Sequence, residues 1–533
     1  MPGAAPAGAH DAGAPWFVEE ARARGLHFAF RSGAAGEHLM PEIMGGGAAL
    51  FDADGDGDLD AYLVQGGAVR AEPGENPPDQ LFANQGGGTF EDVTAASGAD
   101  ERGYGMGAAV GDADGDGRPD LFVANLGADA LLANDGGLVF RDVTATARLG
   151  DDGWSTSAAF LDGDGDGDLD LYVARYLVWD PDQELACSND MGTPDYCSPT
   201  AYGAPALDLY YENEGAGIFR DASARAGVQA EAGNGLGVAC ADFDRDGFTD
   251  VFVANDQNAN HLWRNRGGGT FEDAAYTRGV AFDRDGKAKA GMGVAVADVD
   301  EDGDEDLLVC NLQRETDSFF VNEGAFFADR THRAGLAQRS RALTRFGAGF
   351  ADFDQDGRLD LFLANGRVMR RAPAHVAGDD YAEPKLLFRG GPGGVFSEVP
   401  NGGTAEPLPA TSRGAAFGDV DGDGAVDVLV VNRDAPAQLY LNRAPARGAW
   451  IGLRVLDAHG ADALGAALEL RAGARQLRRE VRSASSYLCA SSAVVHVGLG
   501  AAAGLDSVRV RWPDGHERTF GPLAAGAVHT LGR

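Results

Sequence analysis

The chain has 533 residues, with 82 acidic against 44 basic side chains and a formal charge of −38. That balance argues against nucleic acid or an anionic membrane surface as partners, because phosphate is repelled by most of such a surface, and no apolar run is long enough to span a bilayer. With 44% hydrophobic residues the chain can bury a large core, and 78 glycines without a three-residue period point to a turn-rich, all-β protein.

In chain order, residues 1–15 are rich in Ala, Gly and Pro and are expected to form a mobile tail. The motif D-x-D-x-D-G-x-x-D then begins at Asp52 and returns at Asp112, Asp162, Asp242, Asp298, Asp352 and Asp419. Its third position is Asp54, Asp114, Asp164, Asp244, Asp300, Asp354 and Asp421, and its fifth Asp56, Asp116, Asp166, Asp246, Asp302, Asp356 and Asp423. Its ninth is Asp60, Asp120, Asp170, Asp250, Asp306, Asp360 and Asp427. These four positions carry 28 of the 38 excess negative charges.

Four carboxylates within nine residues repel one another unless a cation sits among them. Oxygen ligands without His or Cys select a hard cation, and a loop this rich in ligands suits Ca²⁺ better than Mg²⁺. Up to seven structural Ca²⁺ ions are expected. Positions 1, 3, 5 and 9 supply side-chain oxygens, and position 7 (Asp58, Arg118, Asp168, Phe248, Asp304, Arg358 and Ala425) supplies a backbone carbonyl. Glycine at position 6 makes the turn. An EF-hand is rejected, because position 12 is apolar in every copy, from Leu63 to Val430, where that loop needs a glutamate.

Each motif is flanked by short β-type runs. A small residue stands five places before each first aspartate (Gly47, Gly107, Ser157, Gly237, Gly293, Gly347, Gly414), as expected of strands crowded around a narrow axis. Segments such as Leu81-Phe-Ala-Asn-Gln-Gly-Gly-Gly-Thr-Phe90 read as a third strand, a turn and a fourth strand. Four strands in each of seven units predict a seven-bladed β-propeller. The last unit lacks its fourth strand. Phe17 to Gly25 has the spacing of that missing piece, so the N-terminal strand is expected to complete the last blade and leave no free edge.

The propeller is expected over 16–445 and a separate small β domain over 446–533. Asp283-Arg-Asp-Gly286 imitates half a motif but is followed by Lys-Ala-Lys-Ala, and reads as a plain turn. His261 reads as a packing histidine, Trp512-Pro-Asp-Gly515 as a turn, and Tyr487 as packing between the two domains.

The repeat of small residues, D-x-D-x-D-G-x-x-D and L-Y-x-N-x-G-x-G-x-F-x-D resembles the FG-GAP/VCBS repeats, also found in integrin α-subunit propellers. The tail, with Leu464-Gly-Ala466, Ser486-Tyr-Leu-Cys-Ala-Ser-Ser492, Val495-His-Val-Gly-Leu-Gly500 and Val508-Arg-Val-Arg-Trp-Pro-Asp-Gly515, resembles the ASPIC/UnbV domain. Together they are similar to the cartilage acidic protein family and its bacterial relatives. The resemblance implies a calcium-loaded propeller capped by the small domain and usually exported. It does not fix a molecular function: animal members are matrix proteins, and UnbV-type members accompany enediyne biosynthesis. Cys187 and Cys197 bracket a loop of turn-forming residues and are similar to the family's paired cysteines, so a local disulfide is expected, against two reduced loop thiols. Cys240, Cys310 and Cys489 read as buried small hydrophobes. The N-terminus has neither the basic nor the apolar region of a secretion signal, which leaves an extracellular or periplasmic location resting on the resemblance and a cytoplasmic one open.

Two functions follow. One is a non-catalytic, calcium-dependent binding or scaffold protein, expected to be a monomer, whose partner is a protein, a glycan or a small molecule. The other is an enzyme using the central mouth as its pocket. Its best support is the ring five residues past each motif, Gln65, Asn125, Arg175, Asn255, Asn311, Asn365 and Asn432, although Asn also suits a turn there. No nucleophile elbow, zinc motif or phosphate-binding glycine loop occurs. The binding reading is preferred.

Overall fold

The computed structural model describes residues 14–533 apart from Asp151 and Ala372. Most of the expected 1–15 tail lies outside the described residues. Among the described residues, seven antiparallel units of four strands follow one another. Their innermost strands are Ala48–Phe51, Tyr104–Gly111, Asp152–Leu161, Gly235–Ala241, Val294–Ala297, Arg345–Ala351 and Ser412–Gly418. Each packs beside the next, and the seventh returns to the first, so the sheets close a ring. This is the β-propeller expected from the repeats.

Hydrophobic packing runs between neighbouring sheets. Ala48, Leu50, Leu63 and Phe82 of sheet 1 share a buried cluster with Ala416, Leu429, Val431 and Leu441 of sheet 7. The outer strand of sheet 7 comes from the other end of the chain: Phe17–Glu19 pairs antiparallel with Gln438–Asn442, Phe17 opposite Asn442. Phe17 is anchored edge-on against Phe353, with ring centroids 5.2 Å apart. Sheets 2 and 3 are further joined where Asp152–Trp154 pairs with Leu126–Ala128.

The glycines before the motifs sit where a side chain has no room, and Ser157, in the third copy, fits its hydroxyl against the Leu488 amide at 3.2 Å. A methyl group on Gly293 meets the Phe346 carbonyl at 1.8 Å, and one on Gly237 the Met292 carbonyl at 2.3 Å.

Beyond the ring, Ala449–Leu456, Val495–Gly500 and Val528–Gly532 form a three-stranded sheet, and Ala467–Ala472, Arg475–Glu480, Ser507–Arg511 and Glu517–Phe520 a four-stranded one. Leu453, Val455, Leu468, Leu470, Val508 and Val510 are buried between them. A segment of this domain enters the axis of the ring. Ala490 pairs parallel with Ala49, Ser486 bridges Val294, and the Leu488 carbonyl accepts from the Ala108 amide at 3.2 Å. Tyr487 is fully buried there, 4.8 Å from the Phe346 ring. Interface packing was expected of Tyr487, but not that its segment occupies the axis.

Candidate metal centres

Each D-x-D-x-D-G-x-x-D loop joins the innermost strand of a sheet to the second, and all seven lie at the same end of the ring. The glycine at position 6 has positive φ in every copy, from 85° at Gly424 to 100° at Gly247. Position 4 is left-handed in every copy too. It is Gly55, Gly115, Gly165 and Gly422 in four loops, but Arg245, Glu301 and Gln355 hold φ of 60°, 63° and 56° in the others. Three non-glycine residues in that region are a local strain that the surrounding loop must offset. Glycine at four of the seven fourth positions was the signal in the sequence, and its meaning emerges only with the dihedrals.

The turn gathers carboxylates. One oxygen each from Asp52, Asp54 and Asp56 lies within 4.8 Å of the others, as do those of Asp162, Asp164 and Asp166, and of Asp242, Asp244 and Asp246. In the second loop the trio is Asp112, Asp114 and Asp120. The fifth-position carboxylate accepts from the seventh-position amide in every copy, for example Asp58 N to Asp56 Oδ1 at 2.9 Å and Phe248 N to Asp246 Oδ1 at 3.1 Å.

The ninth aspartate has a second task. Both oxygens of Asp60 accept backbone bonds, from Ala53 N at 2.9 Å and Asn84 N at 2.8 Å, and Asp120 does the same with Ala113 and Asn134. The equivalent pairs recur at Asp170, Asp250, Asp306, Asp360 and Asp427. This carboxylate therefore stitches the loop to its own third strand, a role its place in the motif did not reveal.

Burial and neighbouring charge make these loops costly without a cation. Burial pushes Asp112, Asp162 and Asp419 up to about 6, and Asp352 up to about 8; adjacent carboxylates add to the shift and loop amides oppose it. At the ninth position burial raises Asp60, Asp120 and Asp170 to about 7. Asp162 Oδ2, Asp242 Oδ1, Asp419 Oδ1 and Asp421 Oδ1 are buried with no hydrogen-bond partner. Buried anionic oxygens left over after the backbone is satisfied, in an all-oxygen donor set, fit a hard divalent cation.

The C-terminal domain sits over this face. Arg454 Nη1 lies 3.0 Å from Asp52 Oδ2, and Arg511 Nη2 3.2 Å from Asp242 Oδ2. His496 Nε2 approaches the Gly424 carbonyl at 2.9 Å. Between the domain and the ring is a cavity of about 660 Å³, lined by Phe51, Phe350, Phe417 and Trp450 and by Glu305, Arg479, Glu480 and Arg482.

The seven residues proposed for the central mouth do stand at the far ends of the second strands, but they do not line an open channel. Asn125, Asn255, Asn311, Asn365 and Asn432 each donate Nδ2 to a carbonyl of their own sheet's next loop, at Ala128, Ala259, Thr316, Pro384 and Pro436. Gln65 bonds the Arg31 amide and the Ala29 carbonyl. Arg175 borders a separate cavity of about 290 Å³ beside Trp154 and Trp179. The axis itself is filled by Met44, Met106, Trp154, Leu236, Met292, Phe346, Tyr487 and Leu488. An extended β-turn leaves an Asn side chain closer to its own backbone than to the axis, and apolar side chains then close the space.

Above that core, the long loops of sheets 3 and 6 meet. Cys187 and Cys197 form a disulfide. Asp195, beside it, accepts from Arg370 N at 2.8 Å and from the Tyr381 hydroxyl at 2.9 Å. Tyr196 donates to Glu42 at 3.2 Å and accepts from Arg433 at 2.8 Å. His261 is buried, with Nδ1 2.8 Å from Asp273 and its ring stacked on Trp263. Cys240, Cys310 and Cys489 are free and buried.

Comparison with known proteins agrees with this geometry. FG-GAP-like repeats match residues 52–123, 112–173, 242–309 and 298–363, and an ASPIC and UnbV domain matches 457–533. The chain is an FG-GAP-repeat β-propeller protein carrying an ASPIC/UnbV domain. The resemblance to the cartilage acidic proteins is upheld as well. Cartilage acidic protein 1 of Homo sapiens is 28% identical over 367 residues, covering 62% of this chain and 50% of that protein. The Xenopus tropicalis protein of the same name is 27% identical over 342 residues, covering 59% and 47%. The chain thus spans about half the length of the curated relatives it matches. Among solved structures, an Agrocybe aegerita lectin recognising non-reducing terminal N-acetylglucosamine aligns over 72% of this chain and 85% of its own, at 17% identity and a TM-score of 0.37. The six-bladed Aleuria aurantia lectin aligns over 67% and 96%, at 11% identity and a TM-score of 0.33. The ring described above rests on this chain's own strand pairings.

Proposed function

We propose that this protein is a non-catalytic binding or scaffold protein whose propeller is held in shape by Ca²⁺ in its D-x-D-x-D-G-x-x-D loops, and that it works outside the cytoplasm. The observation that carries the reading is the repeated convergence of loop carboxylates with buried oxygens that no protein donor satisfies. The loops connect strands, and their carboxylates both hold the turn and leave buried oxygens over, which suits a structural ion. Extracellular loops of this kind bind Ca²⁺ at about 10⁻⁴–10⁻³ M, a range matched to a calcium-rich exterior. The disulfide between Cys187 and Cys197 supports an oxidising compartment.

The partner is a protein, a glycan or a small molecule. Catalysis at the central mouth has less support, since its amides serve turns and its axis is filled. Calorimetric titration of the chelator-treated chain with Ca²⁺, alongside thermal melting, tests the reading. Heat of binding with a raised melting temperature is expected; a melting curve indifferent to both EDTA and Ca²⁺ defeats it.

A further inference from the structure

The seven loops are not electrostatically alike, and the difference lies in the third strand of each sheet. In sheet 6, Nη2 of Arg389 lies 2.8 Å from Asp354 Oδ2 and 2.8 Å from Asp356 Oδ2, so one nitrogen sits between the third- and fifth-position carboxylates. In sheet 7, Arg443 spans the same two positions, with Nη2 2.5 Å from Asp421 and Nη1 2.9 Å from Asp423, and Arg447 adds a contact to Asp423 at 3.0 Å. In sheet 4, Arg264 contacts Asp244 through Nε and lies 3.1 Å from Asp246 through Nη2.

These arginines flank the point where the third strand passes the loop: Arg264 precedes Asn265, Arg389 precedes Gly390, and Arg443 follows Asn442. The residues on either side of the equivalent asparagine in sheets 1, 2, 3 and 5 are neutral or acidic, and include Gln85, Asp135, Glu214 and Glu323. Among the described residues, the ion pairs made by those four loops each reach single motif positions, Arg454 on Asp52, Arg118 on Asp116, Arg479 on Asp298 and Arg245 on Asp304, and none of these arginines bridges the third- and fifth-position carboxylates. None falls on Asp54, Asp114, Asp164 or Asp300.

We infer that the loops form two classes: those of sheets 1, 2, 3 and 5 bind Ca²⁺ tightly, whereas those of sheets 4, 6 and 7 carry a built-in guanidinium in its place and take Ca²⁺ only weakly. The inference rests on the calcium reading above and goes beyond it by assigning the number of ions. A guanidinium bridging two carboxylates forms charge-assisted bonds through the oxygens a metal would need, and its positive charge opposes a second cation beside it. Filling such a loop requires the arginine to swing into solvent, and the affinity falls by the cost of that exchange.

Native mass spectrometry of the full chain across a rising series of free Ca²⁺ concentrations counts the ions directly. Four ions are expected to bind first, with any further ions needing at least about ten-fold more Ca²⁺. Arg389→Gln is expected to add a fifth ion to the tight class, and Arg443→Gln likewise. Seven ions binding together, or an Arg389→Gln count unchanged at four, overturns the two-class assignment while leaving the calcium reading intact. No bound ion at any concentration overturns the calcium reading itself.

Discussion

Nδ2 of Asn84 donates to the Val420 carbonyl at 2.8 Å, tying the third strand of sheet 1 to the aspartate loop of sheet 7 across the seam where the ring closes. The same bond recurs around the ring, from Asn134 to Ala53, Asn213 to Ala113, Asn265 to Gly163, Asn322 to Phe243 and Asn442 to Phe353. Sheet 6 has Gly390 in place of the asparagine. Each clasp ends on the second residue of a neighbouring aspartate loop, so the loops belong to the joints between sheets as well as to the turns. Asn84→Ala leaves a buried carbonyl without its donor and is expected to lower stability by about 1–2 kcal/mol, measured by urea unfolding.

Under the proposed calcium binding, removal of the ion is expected to act on the same joints. An ion that binds only the folded chain stabilises it by mass action, about 2–3 kcal/mol per site at roughly a hundred times its Kd. EDTA is therefore expected to lower the melting temperature by several degrees, and excess Ca²⁺ to restore it where Mg²⁺ does not. Differential scanning calorimetry in the two metals checks this.

The Tyr487 segment makes the C-terminal domain part of the ring. Tyr487→Ala opens a cavity against Phe346 and is expected to cost on the order of 3–5 kcal/mol, whereas Tyr487→Phe forfeits only the 3.3 Å bond to the Met44 carbonyl, about 1 kcal/mol. Calorimetry of the full chain is expected to show ring and C-terminal domain melting in one transition, and two separate transitions would contradict the coupling.

Acidification should stabilise the covered mouth. Burial pushes Glu42 from 4.5 up to about 7, against the opposing influence of the Tyr196 hydroxyl and Arg433. Between those values the folded chain holds a proton that the unfolded chain has lost, so stability falls as pH rises through the interval and levels off above it. With Ca²⁺ saturating, Glu42→Gln is expected to flatten the slope of melting temperature against pH from 4.5 to 7. An unchanged slope would assign the dependence to other groups.

Reduction of the Cys187–Cys197 bridge frees a short loop whose Asp195 and Tyr196 hold Arg370, Tyr381 and Arg433. Loss of the crosslink is expected to cost about 2–3 kcal/mol and to expose the long loop of sheet 6 around Arg370 and Tyr381 to protease, readable by limited proteolysis with and without reductant.

Much of this was legible in the residues. The motif repeats without gaps, and the small residues before it stand where Gly237 and Gly293 indeed have no room for a side chain. Periodicity reports local geometry well, because a turn needs its glycine and a crowded strand needs its small residue whatever lies farther off. The ring of Asn125, Asn255 and Asn311 was harder to read. The same residue type serves a ligand or a turn, and which it serves depends on whether the axis beyond is open.

By itself, then, the amino-acid order settled the repeat, the all-β class and the places where carboxylates gather, since each is written within nine or so neighbouring residues. Tertiary structure alone decided that Tyr487 fills the axis, that Arg454 and Arg511 reach down onto the first aspartates of loops 1 and 4, and that Arg389 and Arg443 lie across loops 6 and 7. Those contacts join segments up to hundreds of residues apart, and a charge finds its partner through space, where sequence spacing carries no record of distance.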